Sequence, residues 1–141
     1  MKMMLHTALR EDALRAAPDG FELRLGLPWI RSMPLSTVLD LKVEIGGVPV
    51  ASEDLKVRLG ARQVPSGGLQ AESGWWYVQD RLVLTGRVEL PGGAQEVTVD
   101  FQLMVPYLQA RPGSPLVLPF HVEARLDPGQ APVPGVSRDV A

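Results

Sequence analysis

The chain has 141 residues, with 14 Lys and Arg against 16 Asp and Glu and a formal net charge of −2, and it lacks the basic cluster that nucleic-acid-binding proteins present. It contains no Cys, which excludes disulfides and thiol chemistry and is typical of a reducing compartment. Neither a signal peptide nor an apolar run of about 18 residues is found, so we expect a cytoplasmic protein that does not span a membrane.

The N-terminal half alternates apolar and polar residues over short segments, which is the pattern of strands with one buried face. The many Gly and Pro, 14 and 13 residues, favour turns over helices. We predict an edge strand at residues 4–9 and a helical turn at 11–17, followed by a strand at 21–27. A further strand at 39–45, with its odd-numbered residues facing the core, ends at the Gly pair 46–47, which is predicted to turn the chain into a short hairpin arm.

The C-terminal half contains the most regular alternation. Residues 55–59 form a short strand, and the sequence PSGG at 65–68 opens a loop. The strands at 82–90 and 96–105 are separated by a Pro-Gly-Gly turn, so we predict that they pair as a hairpin. A last strand follows at 118–126.

The fold class follows from these strands. Strands with one apolar and one polar face are typical of antiparallel sheets, because strands of parallel sheets are apolar on both faces. We predict an all-β protein in which residues 1–126 form a single domain, an antiparallel β-sandwich of two sheets. The Pro- and Gly-rich tail at 127–141 is expected to be extended or disordered.

The sequence GWWYVQD at 74–80 is the main candidate for function. Side chains alternate across a strand, so Trp75, Trp76 and Tyr77 cannot all face the core and at least one must point away from it. Any one of them can cap the core, but for the set we favour contact with a ligand or a partner. Asp80 and the following Arg81 face opposite sides of a strand, so each is expected to pair elsewhere, with a surface ion pair as the alternative.

Other candidates lie outside this segment. Trp29 and Arg31 are on a loop between two prolines, and Tyr107 follows Pro106, so all three have the composition of interface anchors, although local packing explains them equally well. His121, on the polar face of the last strand, is more often a solvated surface side chain than an active-site group. The residues expected to face a partner or a substrate are Trp29, Arg31, Trp75, Trp76, Tyr77, Gln79, Asp80, Arg81, Tyr107 and His121.

The sequence lacks the residues that several kinds of catalytic site require. The two His are at positions 6 and 121 without a partner at ligand spacing, no Ser lies in a nucleophile elbow, and the Gly pairs lie at turns rather than in a phosphate-binding loop. We therefore expect no metal, no other cofactor and no catalytic residue in this chain.

Three segments in order resemble one known family: GFELRLGLPWIRSMPLS at 20–36, WWYVQDRLVL at 75–84 and FQLMVPYL at 101–108. Together they resemble the small, or beta, subunit of the bacterial C-glycoside deglycosidases. The resemblance extends from about Gly20 to Leu126.

The resemblance implies a β-sandwich without a complete active site. Such a chain assembles with a larger alpha subunit similar to the sugar phosphate isomerase/epimerase TIM barrels, which carries a divalent metal, usually taken to be manganese, and the acid/base residues. It further implies cleavage of the C–C glycosidic bond of 3-oxo-C-glycosides by proton abstraction and elimination. No catalytic residue is assigned to this chain.

Two other interpretations stay open. One is a free-standing carbohydrate-binding module in which Trp75 or Trp76 stacks on a pyranose ring, and the other is an assembly domain with no link to carbohydrate. If the chain is an accessory subunit, we expect Trp76→Ala to weaken its association with the large subunit while the sandwich stays folded.

Overall fold

The computed structural model describes residues 8–90, 92–129 and 138–139, and their side chains except at positions 106, 107, 110, 138 and 139. Almost all strand pairs are antiparallel, and two main sheets enclose one apolar core. The prediction of an all-β sandwich is confirmed. No helix within the described residues is long and apolar enough to cross a membrane.

The first sheet has the strand order β1-β2-β9-β6-β7, with β12 beside β9. Its strands are β1 (Leu14–Ala17), β2 (Gly20–Gly26), β6 (Lys56–Leu59), β7 (Arg62–Pro65), β9 (Asp80–Gly86) and β12 (Arg138–Asp139). The central strand β9 is the most buried strand of this sheet, with six of its seven residues buried and a neighbouring strand on each edge.

The second sheet has the order β11-β10-β4-β5, and a two-stranded sheet β3-β8 lies apart from it. The strands are β3 (Met33–Pro34), β4 (Val38–Ile45), β5 (Val48–Pro49), β8 (Trp75–Trp76), β10 (Gln95–Arg111) and β11 (Ser114–Leu126). Short 3₁₀ helices at Leu35–Thr37 and Ser66–Ala71 complete the regular elements of the described residues.

A row of aromatic side chains crosses the core. Trp29 meets Phe120 edge to face with ring centroids 6.0 Å apart, Phe120 stacks on Phe101 at 5.4 Å, and Phe101 contacts Trp76 at 6.0 Å. Because Phe101 and Phe120 face each other on neighbouring strands, their stacking is a cross-strand pair of the kind that stabilises sheets. The row ties Trp29 and β8 to the second sheet.

One strand departs from simple alternation. Asp40 has a φ angle of 52°, and the register of β4 against β10 places Asp40 and Leu41 together opposite Phe101, which is a β-bulge. The extra residue reverses the alternation, so Val38 is buried and Leu39 is only partly buried. The prediction that odd-numbered residues face the core therefore holds from Leu41 onward and is wrong at Leu39.

The predicted hairpin of residues 82–90 with 96–105 is wrong. β9 belongs to the first sheet and β10 to the second, so these two strands do not pair as a hairpin. β10 pairs with β11 through a turn at Pro112 and Gly113, where Gly113 has a φ angle of 82° that suits a type II turn. The hairpin turn at Gly46 and Gly47 is confirmed, since β4 pairs with β5 across it.

The N-terminal part of the chain also differs from the predictions. Residues 14–17 of the predicted helical turn form β1, which pairs with β2 across a turn at Pro18 and Asp19. Of the strand predicted at 4–9, only Ala8 and Leu9 are described, and neither belongs to a strand. In the tail, Arg138–Asp139 form β12 parallel to β9, so this part of the tail joins a sheet.

Candidate functional site

The aromatic segment divides between core and surface. Trp75 and Tyr77 are 47% and 45% exposed, whereas Trp76 between them is fully buried. The two exposed rings stack on each other, with centroids 6.5 Å apart and an interplanar angle of 22°. The prediction that at least one of the three aromatics points away from the core is confirmed, because alternation along β8 sends neighbours to opposite sides.

Trp76 is a structural residue of the core. Its indole Nε1 donates a hydrogen bond to the carbonyl oxygen of Asp80 at 3.2 Å, and its ring contacts Phe101. The expectation that Trp76 faces a partner does not fit this position, since none of its surface is exposed. Its burial instead fixes the orientation of Trp75 and Tyr77 on the other side of the backbone.

The loop at 27–34 lies beside the aromatic segment. Met33 and Pro34 pair with Trp76 and Trp75, and the backbone N–H of Val78 donates to the Ser32 hydroxyl at 2.9 Å. These contacts hold residues 74–79 against the loop, so side chains from both form one surface.

The loop residues themselves have different environments. Trp29 is partly buried and packs against the core, whereas Ile30 and Arg31 are exposed. Sequence reasoning missed Ile30 and Val78, although both stand next to residues that it selected. Exposed apolar side chains cannot be told from buried ones in irregular segments, where no alternation applies.

These loops and the end of the β10–β11 hairpin share one end of the sandwich. β4 begins at Val38, opposite Leu103 of β10, and the chain just before it carries β3, which pairs with β8. Beyond Leu103 the hairpin continues without β4. We call the surface formed by residues 27–34, 74–79 and 104–117 the aromatic end.

The exposed apolar side chains concentrate there. The large exposed apolar residues in the described part of the chain are Ile30, Val48, Trp75, Tyr77, Val78, Leu108 and Val117. All except Val48 lie at the aromatic end, whereas Val48 follows the β4–β5 turn at the opposite end. Single exposed apolar residues are common on surfaces, but their concentration at one end makes this end the candidate interaction surface.

The remaining predicted residues of the segment differ in burial. Gln79 is exposed, but Asp80 and Arg81 are buried, so neither presents its side chain at the surface. Arg81 donates from Nη1 to Oδ1 of Asp12 at 2.8 Å. The prediction that Arg81 pairs elsewhere than with Asp80 is confirmed, whereas the alternative of a surface ion pair is wrong. No sequence pattern connects Arg81 with Asp12.

His121 lies outside the aromatic end, on the outer face of the second sheet. It is exposed, and it faces Asp100 across the β10–β11 pair with Nδ1 2.6 Å from Oδ1, while Nε2 lies 3.4 Å from Oε2 of Glu123. The hydrogen bond to Asp100 raises the pKa of His121 above its ordinary value, with weaker help from Glu123. Tyr107 belongs to β10, but its side chain lies outside the described residues.

Comparison with known proteins identifies the family. The chain is 29% identical over 119 residues to the 3'-dehydrocarminate deglycosidase beta subunit of Microbacterium sp, which covers 83% of this chain and 89% of the relative. It is 30% identical over 102 residues to the C-glycoside deglycosidase beta subunit of Microbacterium trichothecenolyticum, which covers 71% of this chain and 74% of the relative. The chain belongs to the C-glycoside deglycosidase beta subunits. The beta subunit of Arthrobacter globiformis agrees, with 29% identity over 117 residues.

The resemblance seen in the sequence is thus confirmed, although no protein-family model matches the chain. The relatives are named as beta subunits of an enzyme, and a beta subunit implies a partner subunit. Within the described residues of this beta subunit, no three His, Asp or Glu side chains converge as metal ligands would.

The contact between His121 and Asp100 predicts a pH dependence. We expect Asp100→Asn to lower the pKa of His121 toward its ordinary value, and Glu123→Gln to lower it less, because Glu123 is the more distant partner. Because the pKa of His121 is raised in the folded state, the protonated ring stabilises the fold at pH values below the unfolded-state pKa of His. This stabilisation is lost as the pH rises through the folded-state pKa. An NMR titration of the His121 ring measures the shift, and equal effects of the two variants would contradict the assignment.

Proposed function

We propose that this chain is the accessory beta subunit of a C-glycoside deglycosidase complex. The observation that carries the proposal is its similarity to named beta subunits over 71% to 83% of its length. The aromatic end supports it, because exposed Trp, Tyr, Ile and Val side chains are typical of a surface that another subunit covers.

The proposed partner is a large alpha subunit with a fold like the sugar phosphate isomerase/epimerase TIM barrels. In this arrangement the large subunit holds a divalent metal ion, manganese by family resemblance, and the acid/base residues. The present chain then contributes no catalytic group, and it is inactive alone. Its role is to complete or stabilise the assembly through the aromatic end.

The proposed reaction cleaves the C–C glycosidic bond of a 3-oxo-C-glycoside. This bond has no exocyclic oxygen to protonate, so the hydrolysis used for O-glycosides does not apply. The ketone at C3 acidifies the proton at C2, which a base removes. The bond between C1 and the aglycone then breaks, a C1–C2 double bond forms, and the aglycone leaves with the electron pair and takes up a proton. A divalent metal ion in the large subunit would stabilise the negative charge of the enolate.

Trp75 and Tyr77 are the proposed centre of the docking surface. Both rings are rigid, amphipathic and about half exposed, and each is held in place by the buried Trp76 between them. Burying such a ring under a partner stabilises a complex with little loss of side-chain entropy, which is why Trp and Tyr dominate binding hot spots. Gln79, Ile30 and Val78 are also exposed and belong to the same two segments, 27–34 and 74–79.

Co-expression with the large subunit of the same genome tests the proposal. We expect a tagged chain to copurify with that subunit, and the complex, but not the chain alone, to cleave a 3-oxo-C-glycoside. A monomeric chain that captures no large subunit would show that the proposed function is wrong.

The variants Trp75→Ala and Tyr77→Ala locate the docking surface. Each is expected to weaken the complex by about 10- to 100-fold while the melting temperature of the isolated chain stays nearly unchanged. Val48→Ala, which truncates an exposed apolar residue at the opposite end, is the control and should leave the affinity unchanged. If all three variants bind the large subunit equally well, the docking surface lies elsewhere.

A further inference from the structure

The β10–β11 hairpin extends past the body of the sandwich as an arm. The pairing of β10 with β4 ends at Leu103, but β10 and β11 remain paired up to Arg111 and Ser114. Within this arm Val105 on β10 pairs with Leu116 on β11, and the next pair in the ladder is Gln109 with Pro115. β10 thus advances by four residues where β11 advances by one. Residues 106–108 therefore have no cross-strand partner and bulge out of the ladder.

The composition of the arm is unusual for an exposed strand pair. Arg111 is the only charged residue between positions 101 and 120. Exposed sheet edges normally carry charged side chains that prevent association, whereas the cores of interfaces are depleted in charge. Leu108 in the bulge and Val117 on the opposing strand are each about two-fifths exposed. The arm therefore carries few of the charges that would keep an exposed strand pair from associating with other chains.

The arm cannot easily accept an added strand along β11. Pro115 and Pro119 lack a backbone N–H, and a proline within a paired strand has its nitrogen on the unpaired side. A partner strand along this edge would miss two donors in the ladder. On the β11 side, contact with another protein is therefore expected through side chains, such as that of Val117, rather than through an added strand.

We propose that this arm, residues 104–117, is a second anchor that packs into an apolar depression on the large subunit. The inference rests on the proposed function, because the occupant is the same partner that covers Trp75 and Tyr77. The arm and these rings lie at one end of the sandwich, and Val117 points to the outer face of the second sheet, as His121 does, so the partner has to wrap around this end to cover both. Arg111 near the tip is exposed and makes no ion pair within the described part of the chain, so a carboxylate at the rim of the depression is expected to meet it.

Charge substitution on the arm tests the inference. Purified Leu108→Asp and Val117→Asp chains are titrated against the tagged large subunit, with Val48→Asp as the matched control at the opposite end. We expect both arm variants to bind at least about 30-fold more weakly, and the control to bind within about 3-fold of the wild type. All three sites are exposed, so melting curves of the isolated chains should agree.

The outcomes separate the two proposals. If the wild-type chain forms no complex, the proposed function is wrong and the arm inference falls with it. If the wild type binds and Leu108→Asp and Val117→Asp bind as well as Val48→Asp, the arm inference is wrong while the proposed function stands. Hydrogen exchange of the wild-type complex gives a second measurement. Binding should slow the hydrogen exchange of the backbone amides at 104–117. Unchanged exchange there would overturn the inference, and this test does not depend on the variants, which can aggregate.

Discussion

Replacing Trp76 with alanine is expected to lower the free energy of unfolding by about 3–5 kcal/mol, the range found for removal of a large buried aromatic side chain. Trp76 is fully buried, its ring contacts Phe101, and its indole N–H is bonded to the Asp80 carbonyl oxygen. Alanine leaves a cavity in the aromatic row and removes the donor for that carbonyl. This loss is a large fraction of the roughly 5–15 kcal/mol by which folded domains are usually stable.

Chemical denaturation of Trp76→Ala and Trp75→Ala measures this effect. Trp75 is the matched control, because it is the neighbouring Trp and is half exposed, and its replacement should cost less than about 1 kcal/mol. The expectation from sequence was different: Trp76→Ala was to weaken association and spare the fold. We propose that behaviour for Trp75 instead, because it is the exposed Trp of the pair. Equal destabilisation by the two variants would contradict the burial of Trp76.

The strands could largely be predicted from alternation, but their partners could not. The strands found at Gly20–Gly26, Val38–Ile45 and Lys56–Leu59 were all predicted, since each has an apolar face toward the core. The Pro-Gly-Gly sequence after residue 90 has the composition of a hairpin turn, yet the strands before and after it belong to different sheets. Pairing in a sandwich is decided by burial of both sheets together, which local turn chemistry does not encode.

The candidate site shows the same limit. Alternation requires that Trp76 and its neighbours face opposite sides, but it does not say which side is the core. In the structure Trp76 lies on the core side and pairs with Met33. This pairing joins segments that are distant in sequence, so alternation within one segment does not reveal it. Ile30 and Val78 lie in irregular segments, so their exposure could not be predicted from a period. The family resemblance, in contrast, depends on the order of segments and needed no knowledge of their packing.

The buried ion pair of Arg81 with Asp12 gives the other large effect. The two side chains are only 9% and 3% exposed, and their 2.8 Å contact connects β9 with the turn before β1. Gly26 of β2 lies opposite Arg81 and has no side chain to obstruct a contact across the strand. The Nε atom of Arg81 is already buried without a hydrogen-bond partner. Removing Asp12 would therefore leave a buried guanidinium with little compensation.

We expect Asp12→Ala to lower the free energy of unfolding by about 3–5 kcal/mol, the cost of breaking a buried pair by removing one partner. The double variant with Asp12→Ala and Arg81→Met should be more stable than Asp12→Ala alone, because it no longer buries an unpaired charge. Glu96→Ala, which breaks the exposed pair with Arg125, is the control and should change stability by about 0–1 kcal/mol. Urea denaturation of the four chains, wild type included, measures these differences. If Asp12→Ala lowers the free energy of unfolding no more than Glu96→Ala does, Arg81 reaches solvent or another partner. In that case β1 is held to the sheet by its backbone pairing and apolar contacts alone.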